Sequence, residues 1–356
     1  MRERGGMNIV CDNERQPMAR SDSKARAPTM MDVARLARVS PQTVSRVLND
    51  YAFIKADTRE RVLQAIDSLD YRPNIAARTL ATSRSRTIGV VATDYLSFGP
   101  ASALWAVEQA AREAGYAVSI VSLPESNYRT ISDALQRLAS QAVEGIVMIA
   151  PQDVSASAAF MSFDNVPVVT LSSVDTGEHT SIMTDSVEGS RLATRHLIEL
   201  GHTMIAHVAG PAGFTVSDSR IHGWRKALGE AGLVAVEPVV GDWSAQSGYH
   251  AGREIAANRE FTAVYVANDR MAQGVLLALH EAGRRVPEDF SVVGFDDVPE
   301  AAYFIPPLTT MRQDFAALGR RCIEAVLVCI NGEPPLEADP LLPVLVVRAS
   351  TARPPR

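Results

Sequence analysis

Long apolar runs are missing from this chain of 356 residues, and with them any segment that could span a membrane. The opening stretch, MRERGGMNIVCDNERQPMARSDSKARAP, has no apolar core of the secretory type, so export is not expected. Its mixed charge and lack of periodicity read as a disordered tail over residues 1–27, and Met18 and Met30 offer later starts. Cysteine is scarce: Cys11, Cys322 and Cys329 are scattered, lack metal-ligand spacing and suit a reducing cytoplasm better than disulfides. No glycine-rich phosphate loop is present, and no metal or cofactor is expected. The seven histidines (179, 196, 202, 207, 222, 250 and 280) are dispersed and suggest no Ser, His and acid triad, so the chain does not read as an enzyme. His202 is expected to help end a helix.

Charge is present but unevenly placed. Residues 1–87 hold 16 Lys and Arg against 10 Asp and Glu, while residues 88–356 hold 19 against 31, so a head of +6 precedes a body of −12. A basic module on an acidic body concentrates attraction for phosphates at one end. Arg35, Arg38, Lys55, Arg59, Arg61, Arg72 and Arg78 are the candidates for backbone contact.

Within that head, SPQTVSRVLN places a cap, Ser40, and a first-turn proline, Pro41, before a short amphipathic helix. Val44, Val47 and Leu48 share its apolar face. Gln42, Thr43, Ser45, Arg46 and Asn49 fall on or beside the opposite one, with hydrogen-bonding side chains suited to base edges. A preceding helix capped by Thr29 has a stripe of Val33, Leu36 and Ala37, and a third helix from Asp57 to Leu69 supplies Val62, Ile66 and Leu69. Together these three predict an all-α helix-turn-helix unit over residues 28–73.

From Ile88 onward, eight short apolar runs alternate with amphipathic segments: TIGVVATD, AVSIVSLP, EGIVMIAP, PVVTLSS, MIAHVAG, VEPVVGD, TAVYVAND and SVVGFDD. The intervening helices are expected at 104–114, 131–142, 189–200, 223–231, 246–257 and 271–282. This order implies α/β architecture with doubly wound parallel sheets. Ligands in such sheets bind beyond the carboxyl ends of strands, where Asp94, Ser172, Asn268 and Asp296 follow apolar runs here.

The runs TMMDVARLARVSPQTVSRVLN, DTRERVLQAIDSLDYRPNIAARTLAT and RTIGVV, in that order, resemble the head, hinge and first core strand of the lactose-repressor (LacI/GalR) family of bacterial transcription regulators. The resemblance implies that Pro41, Gln42 and Arg46 read bases, that Thr29, Ser40, Thr43, Ser45 and Asn49 also bind DNA, and that residues 74–85 are a hinge helix and linker. Asn74, Ala77 and Leu80 would meet DNA there, with Leu80 wedged into the minor groove. Arg38 departs from the pattern, since the family often has glycine in this turn; if φ is positive there, arginine carries a steric cost.

For residues 86–347 the resemblance implies a periplasmic-binding-protein-like core of two lobes. One is expected over 86–184 plus a segment near 314–340, the other over 185–313, with a C-terminal tail at 348–356. Arg220, Trp243, Asn268 and Asp296 match effector-contacting positions and together resemble a sugar site. Phe98, Leu171, Phe315 and Leu318 match apolar walls, and Ser172 and Ile149 stand where the family's lactose-binding member has a carboxylate and an amide. The functions implied are binding of a pseudo-palindromic double-stranded DNA operator by a homodimer and its release by a small sugar; a purine fits less well. After Val347 the sequence ASTARPPR has none of the heptad leucines that build tetramers. A sugar-binding receptor of a transport system shares the core but neither the head nor the leaderless start.

Overall fold

The structure is a computed structural model and describes residues 27–48, 51, 53–72, 84–93, 97–123, 127–149, 166–172, 180–334 and 339–355. Most of the expected N-terminal tail, the hinge residues Asn74, Ala77 and Leu80, and Asn49, Arg78 and Asp94 lie outside these. The chain divides into two units at Ser83 and Arg84.

In the first unit, α1 (Met30–Ala37), α2 (Pro41–Leu48) and α3 (Ala56–Ser68) surround a core of Val33, Ala34, Ala37, Val44, Val47, Val62, Ala65 and Tyr71. Thr29 caps α1 as expected, and the Asp32 carboxylate accepts from its backbone N–H at 2.9 Å and its hydroxyl at 2.6 Å. At the start of α2, Ser40 Oγ accepts from the Thr43 N–H at 3.1 Å. Leu36 is a correction: it is 52% exposed, and the smaller Ala34 takes its place in the buried stripe, where little space separates the packed helices. Ile66 and Leu69 only flank the core, which Ala65 and Tyr71 complete.

Arg38, in the joint between α1 and α2, has φ 54° and ψ 47°, so the steric cost anticipated for it is present. Arg61 is used internally, donating to the Ala37 carbonyl at 3.2 Å and pairing with Asp57 at 3.4 Å.

The second unit holds two parallel sheets. The first has the order β2-β1-β3-β4-β5, built from β1 (Thr87–Thr93), β2 (Ala117–Leu123), β3 (Gly145–Ile149), β4 (Val168–Ser172) and β5 (Thr180–Met183). The second has the order β7-β6-β8-β9, from β6 (Ile205–Ala209), β7 (Val239–Val240), β8 (Ala263–Val266) and β9 (Ser291–Val293). Every pairing in both is parallel. Strands such as β3 and β8 are buried along their whole length, which is why they read as unbroken apolar runs and not as alternation.

Helices α4 (Phe98–Glu113) and α5 (Tyr128–Ser140) accompany the first sheet; α6 (Ser186–Glu199), α7 (Thr215–Glu230), α8 (Ala245–Ala257) and α9 (Asp269–Glu281) accompany the second. The last two cross closely, because a side chain on Gly274 would meet the Ala245 carbonyl and one on Gly248 would strike Met271. The late helix α10 (Phe315–Ile330) returns to the first sheet, where Leu318, Cys322, Ile323 and Val326 share a core with Ile88, Val90 and Val147. Burial pushes the Cys322 thiol up to about 12, so it packs as a small apolar group.

Crossing segments link the lobes. The antiparallel pair β10 (Thr310–Arg312) and β11 (Val344–Val346), and bridges such as Thr184 to Leu341 and Asp296 to Arg312, carry the chain between them.

Within the segment expected as a C-terminal tail, Thr351, Ala352 and Pro354 are half-buried, while Arg353 and Pro355 are exposed. Ser350 is fully buried, donating to the Val292 carbonyl at 2.6 Å and accepting from the Thr309 N–H at 2.8 Å. His202 does more than end α6. Its ring lies 2.8 Å from Thr262 Oγ1, 3.1 Å from Ser291 Oγ and 2.9 Å from the Ala352 carbonyl, pinning the C-terminal segment to the second lobe.

Candidate functional site

Two sites follow from this architecture, one in each unit. On the first, the buried Val44 and Val47 fix the rotation of α2. Pro41, Gln42 and Arg46 are thereby left exposed, with Thr43 and Ser45 half-buried beside them. Gln42 and Arg46 stand one turn apart on one face. The Arg46 guanidinium lies 5.5 Å from the Tyr51 ring centre, a neighbour that steadies it. Ser40 and Thr43 are more committed than expected, since their hydroxyls lie 2.9 Å apart within the cap. A bidentate amide and a bidentate guanidinium on one exposed helix face match the edges of adenine and guanine.

On the second unit, a cavity of about 150 Å³ lies between the two sheets at the carboxyl ends of their strands. Seven of the eight expected effector residues line it: Phe98, Leu171, Arg220, Trp243, Asn268, Asp296 and Phe315. The eighth, Ser172, is the last residue of β4, next to Leu171. Leu318 and Ile149 line it too, as do Phe214, Val216 and Gln313, which sequence reasoning did not single out. The signal for Phe214 and Val216 was their place just before Arg220, at the N-cap and in the first turn of a longer helix than the pattern suggested.

The polar centre is a buried ion pair. Arg220, on α7, reaches Asp296 Oδ1 at 3.5 Å and also donates to the Ala267 carbonyl. Its guanidinium lies 3.9 Å from the Phe295 ring centre and 5.7 Å from that of Trp243. Gln313 donates to the same Asp296 oxygen at 2.9 Å. Burial pushes the Asp296 carboxyl above its ordinary range, and the Arg220 charge opposes that shift.

Asn268 caps α9 by accepting from the Met271 N–H at 2.8 Å, and its amide donates to the Trp243 carbonyl at 3.1 Å. It therefore fixes the position of Trp243. That ring lies over Gly210, where a Cβ would approach it to 2.1 Å, so only glycine leaves the indole its place. Trp243 and Asp296 in the cleft, and Asp297 next to it, have positive φ, at 71°, 113° and 56°, three strained backbone positions. Asp297 is clamped by Arg312 and Arg348, each at 2.6 Å.

Beneath the cleft, Asp269 accepts from the Thr310 hydroxyl at 2.6 Å and the Val298 N–H at 2.9 Å. Burial first, and then the Asp296 charge, raise its carboxyl to about 8. Among the described residues there is no His, Cys, Asp and Glu cluster fit to hold a metal, and no helix long and apolar enough to cross a membrane.

An arginine fork, a carboxylate, two amides and an indole face are residue types that suit a ligand with neighbouring hydroxyls and a ring to cover. Known proteins match in both regions. Residues 29–74 match the family described as bacterial regulatory proteins, lacI family, and residues 194–351 match a periplasmic binding protein-like domain. The lactose operon repressor of Escherichia coli (strain K12) is 36% identical over 329 residues, covering 92% of this chain and 91% of that protein. The HTH-type transcriptional repressor PurR of Pasteurella multocida (strain Pm70) is 35% identical, covering 90% and 98%. Among solved structures, the lac repressor dimer bound to operator and the anti-inducer ONPF superposes with a TM-score of 0.84 at 36% identity, covering 92% of this chain and all of that one. A complex of the transcriptional regulator CelR with cellobiose gives 0.67 at 31% identity, covering 91% and 99%.

Proposed function

The chain belongs to the lacI family of bacterial regulatory proteins, and from that premise we propose that it is a DNA-binding transcriptional repressor whose grip on its operator is released by a small sugar in the core cleft. One observation carries the reading: a single chain combines an outward α2 presenting Gln42 and Arg46 with a cleft centred on Arg220 and Asp296. The relatives bear the names of repressors, and one solved relative is a dimer on its operator.

In this reading Gln42 and Arg46 read base edges while Pro41 offers only apolar contact, such as to a thymine methyl. Ser45, Asn49 and the hinge residues Asn74, Ala77 and Leu80 add contacts; Thr29, Ser40 and Thr43 hold the helices in place. The operator is pseudo-palindromic because a two-fold dimer presents two identical heads. Arg220 and Asp296 hold sugar hydroxyls, Trp243 covers the ring, Asn268 sets the indole, and Phe98, Leu171, Ser172 and Phe315 complete the cleft. The effector is bound and not turned over, and the protein works in the cytoplasm.

Effector and operator are linked reciprocally: if cleft occupancy weakens DNA binding by some factor, DNA weakens effector binding by the same factor. Selection from random DNA, repeated with and without a sugar library, tests the whole reading. It should return a symmetric site that is lost when one sugar is present. An asymmetric site, or enrichment that no sugar alters, would count against it.

A further inference from the structure

Arg46 lies in the last turn of α2, and among the described residues it makes no ion pair, so no carboxylate there competes with a base for its guanidinium. A long exposed side chain of this kind occupies many rotamers, and fixing it on a base edge costs the freedom it gives up. Both prongs of the fork must be in place together to meet guanine O6 and N7. An arginine that is already oriented therefore discriminates better than one that must be ordered on the DNA.

Tyr51 supplies that constraint and is itself held in three ways. Its N–H donates to the Arg46 carbonyl at 3.0 Å, which fixes the chain just beyond α2 against the residue it serves. Its carbonyl accepts from Arg59 Nη2 at 3.4 Å, tying it to α3. Its ring meets Phe53 edge-on, with centres 5.9 Å apart and planes at 64°. The Arg46 guanidinium sits over that ring at 5.5 Å, within the range where the π face attracts a cation. The ring takes no part in the core of the helical unit, being 50% exposed, so its position is explained by Arg46 and not by packing.

We propose that Tyr51 is a specificity-determining positioning residue: its ring orients Arg46 for two-pronged readout of guanine, so that replacing it weakens discrimination at one base pair of each half-site and leaves the general attraction for DNA as it was. This rests on the base-reading role given to Arg46 above and deepens it.

Fluorescence anisotropy of the full-length protein tests it, on the operator selected from random DNA and on duplexes changed at one base pair at a time. The pair read by Arg46 is the one at which Arg46→Ala loses its preference. There Tyr51→Leu, which keeps an apolar side chain without a π face, should lose about fivefold of the parent's preference for guanine, while Tyr51→Phe retains it. Preference at the other pairs, and affinity for an unrelated duplex, should stay within about twofold of the parent. In the Arg46→Ala background, Tyr51→Leu should change nothing more at that pair, as two residues acting through one contact require. Parent-like preference in Tyr51→Leu, an equal loss in Tyr51→Phe, or a loss spread evenly over all pairs, as a merely structural defect gives, overturns the proposal while leaving Arg46 as a base reader. An Arg46→Ala protein that keeps the parent's preference at every pair overturns the base-reading role and this proposal with it.

Discussion

Asp296 shows how much this molecule asks of single residues. Its backbone has φ 113°, its side chain is buried, and its charge is balanced by Arg220 on a different helix. Removing one member of a buried pair strands the other, so Arg220→Ala should cost about 3 kcal/mol of stability and end effector binding. Denaturant titration and calorimetry read the two effects; adding Asp296→Asn should restore part of the stability and none of the binding. Asp269 makes a different prediction. Its folded-state pKa of about 8 lies above the ordinary value of 3.8, so the folded protein holds the extra proton between these limits. Stability from this group is therefore present below about 4 and is lost as pH rises toward 8. Denaturation across that range should show Asp269→Asn lacking this decline and matching the parent most closely at the acid end.

At the scale of elements, the turn between α1 and α2 and the end of β6 each hinge on one backbone position. Arg38 occupies the left-handed region without being glycine, so Arg38→Gly should stabilise the helical unit by about 0.5–1 kcal/mol, seen as a higher melting temperature of its far-ultraviolet signal. Gly210→Ala should do the reverse for the cleft. With a Cβ 2.1 Å from the indole, Trp243 must move, and effector affinity should fall about tenfold or more while the fold is kept. A tryptophan fluorescence shift would report the displacement.

These elements were legible in unequal measure. The eight apolar runs all contain strands; those buried on both faces, such as β3 and β8, leave continuous apolar sequence, whereas β2 and β7 are mostly half-buried or exposed. The starts of α4 and α7 were not legible: Gly99-Pro100 reads as a turn although proline fits a first helical turn, and the Thr215 to Arg220 stretch carries no apolar stripe because Thr215, Val216 and Arg220 line the cleft while Asp218 is exposed. The short β5, β10 and β11 lack enough residues to show a period. Arg220, Trp243, Asn268 and Asp296 were found through their motifs, whereas Gly210 and Gln313 become visible only when separate segments meet.

For the whole molecule, the +6 head on a −12 body concentrates attraction for phosphates at one end. DNA affinity should accordingly fall steeply with added salt, since bound phosphates release counterions. The central claim is that cleft occupancy sets the strength of the DNA grip. Its most direct test is fluorescence anisotropy of a selected operator titrated with the protein at low ionic strength, with and without a saturating cleft ligand, for the parent and for Arg220→Ala. The account predicts that ligand weakens parent binding by about tenfold or more and leaves Arg220→Ala on the DNA. Equal operator affinity with and without a ligand shown to fill the cleft, or no DNA binding at all, would contradict it.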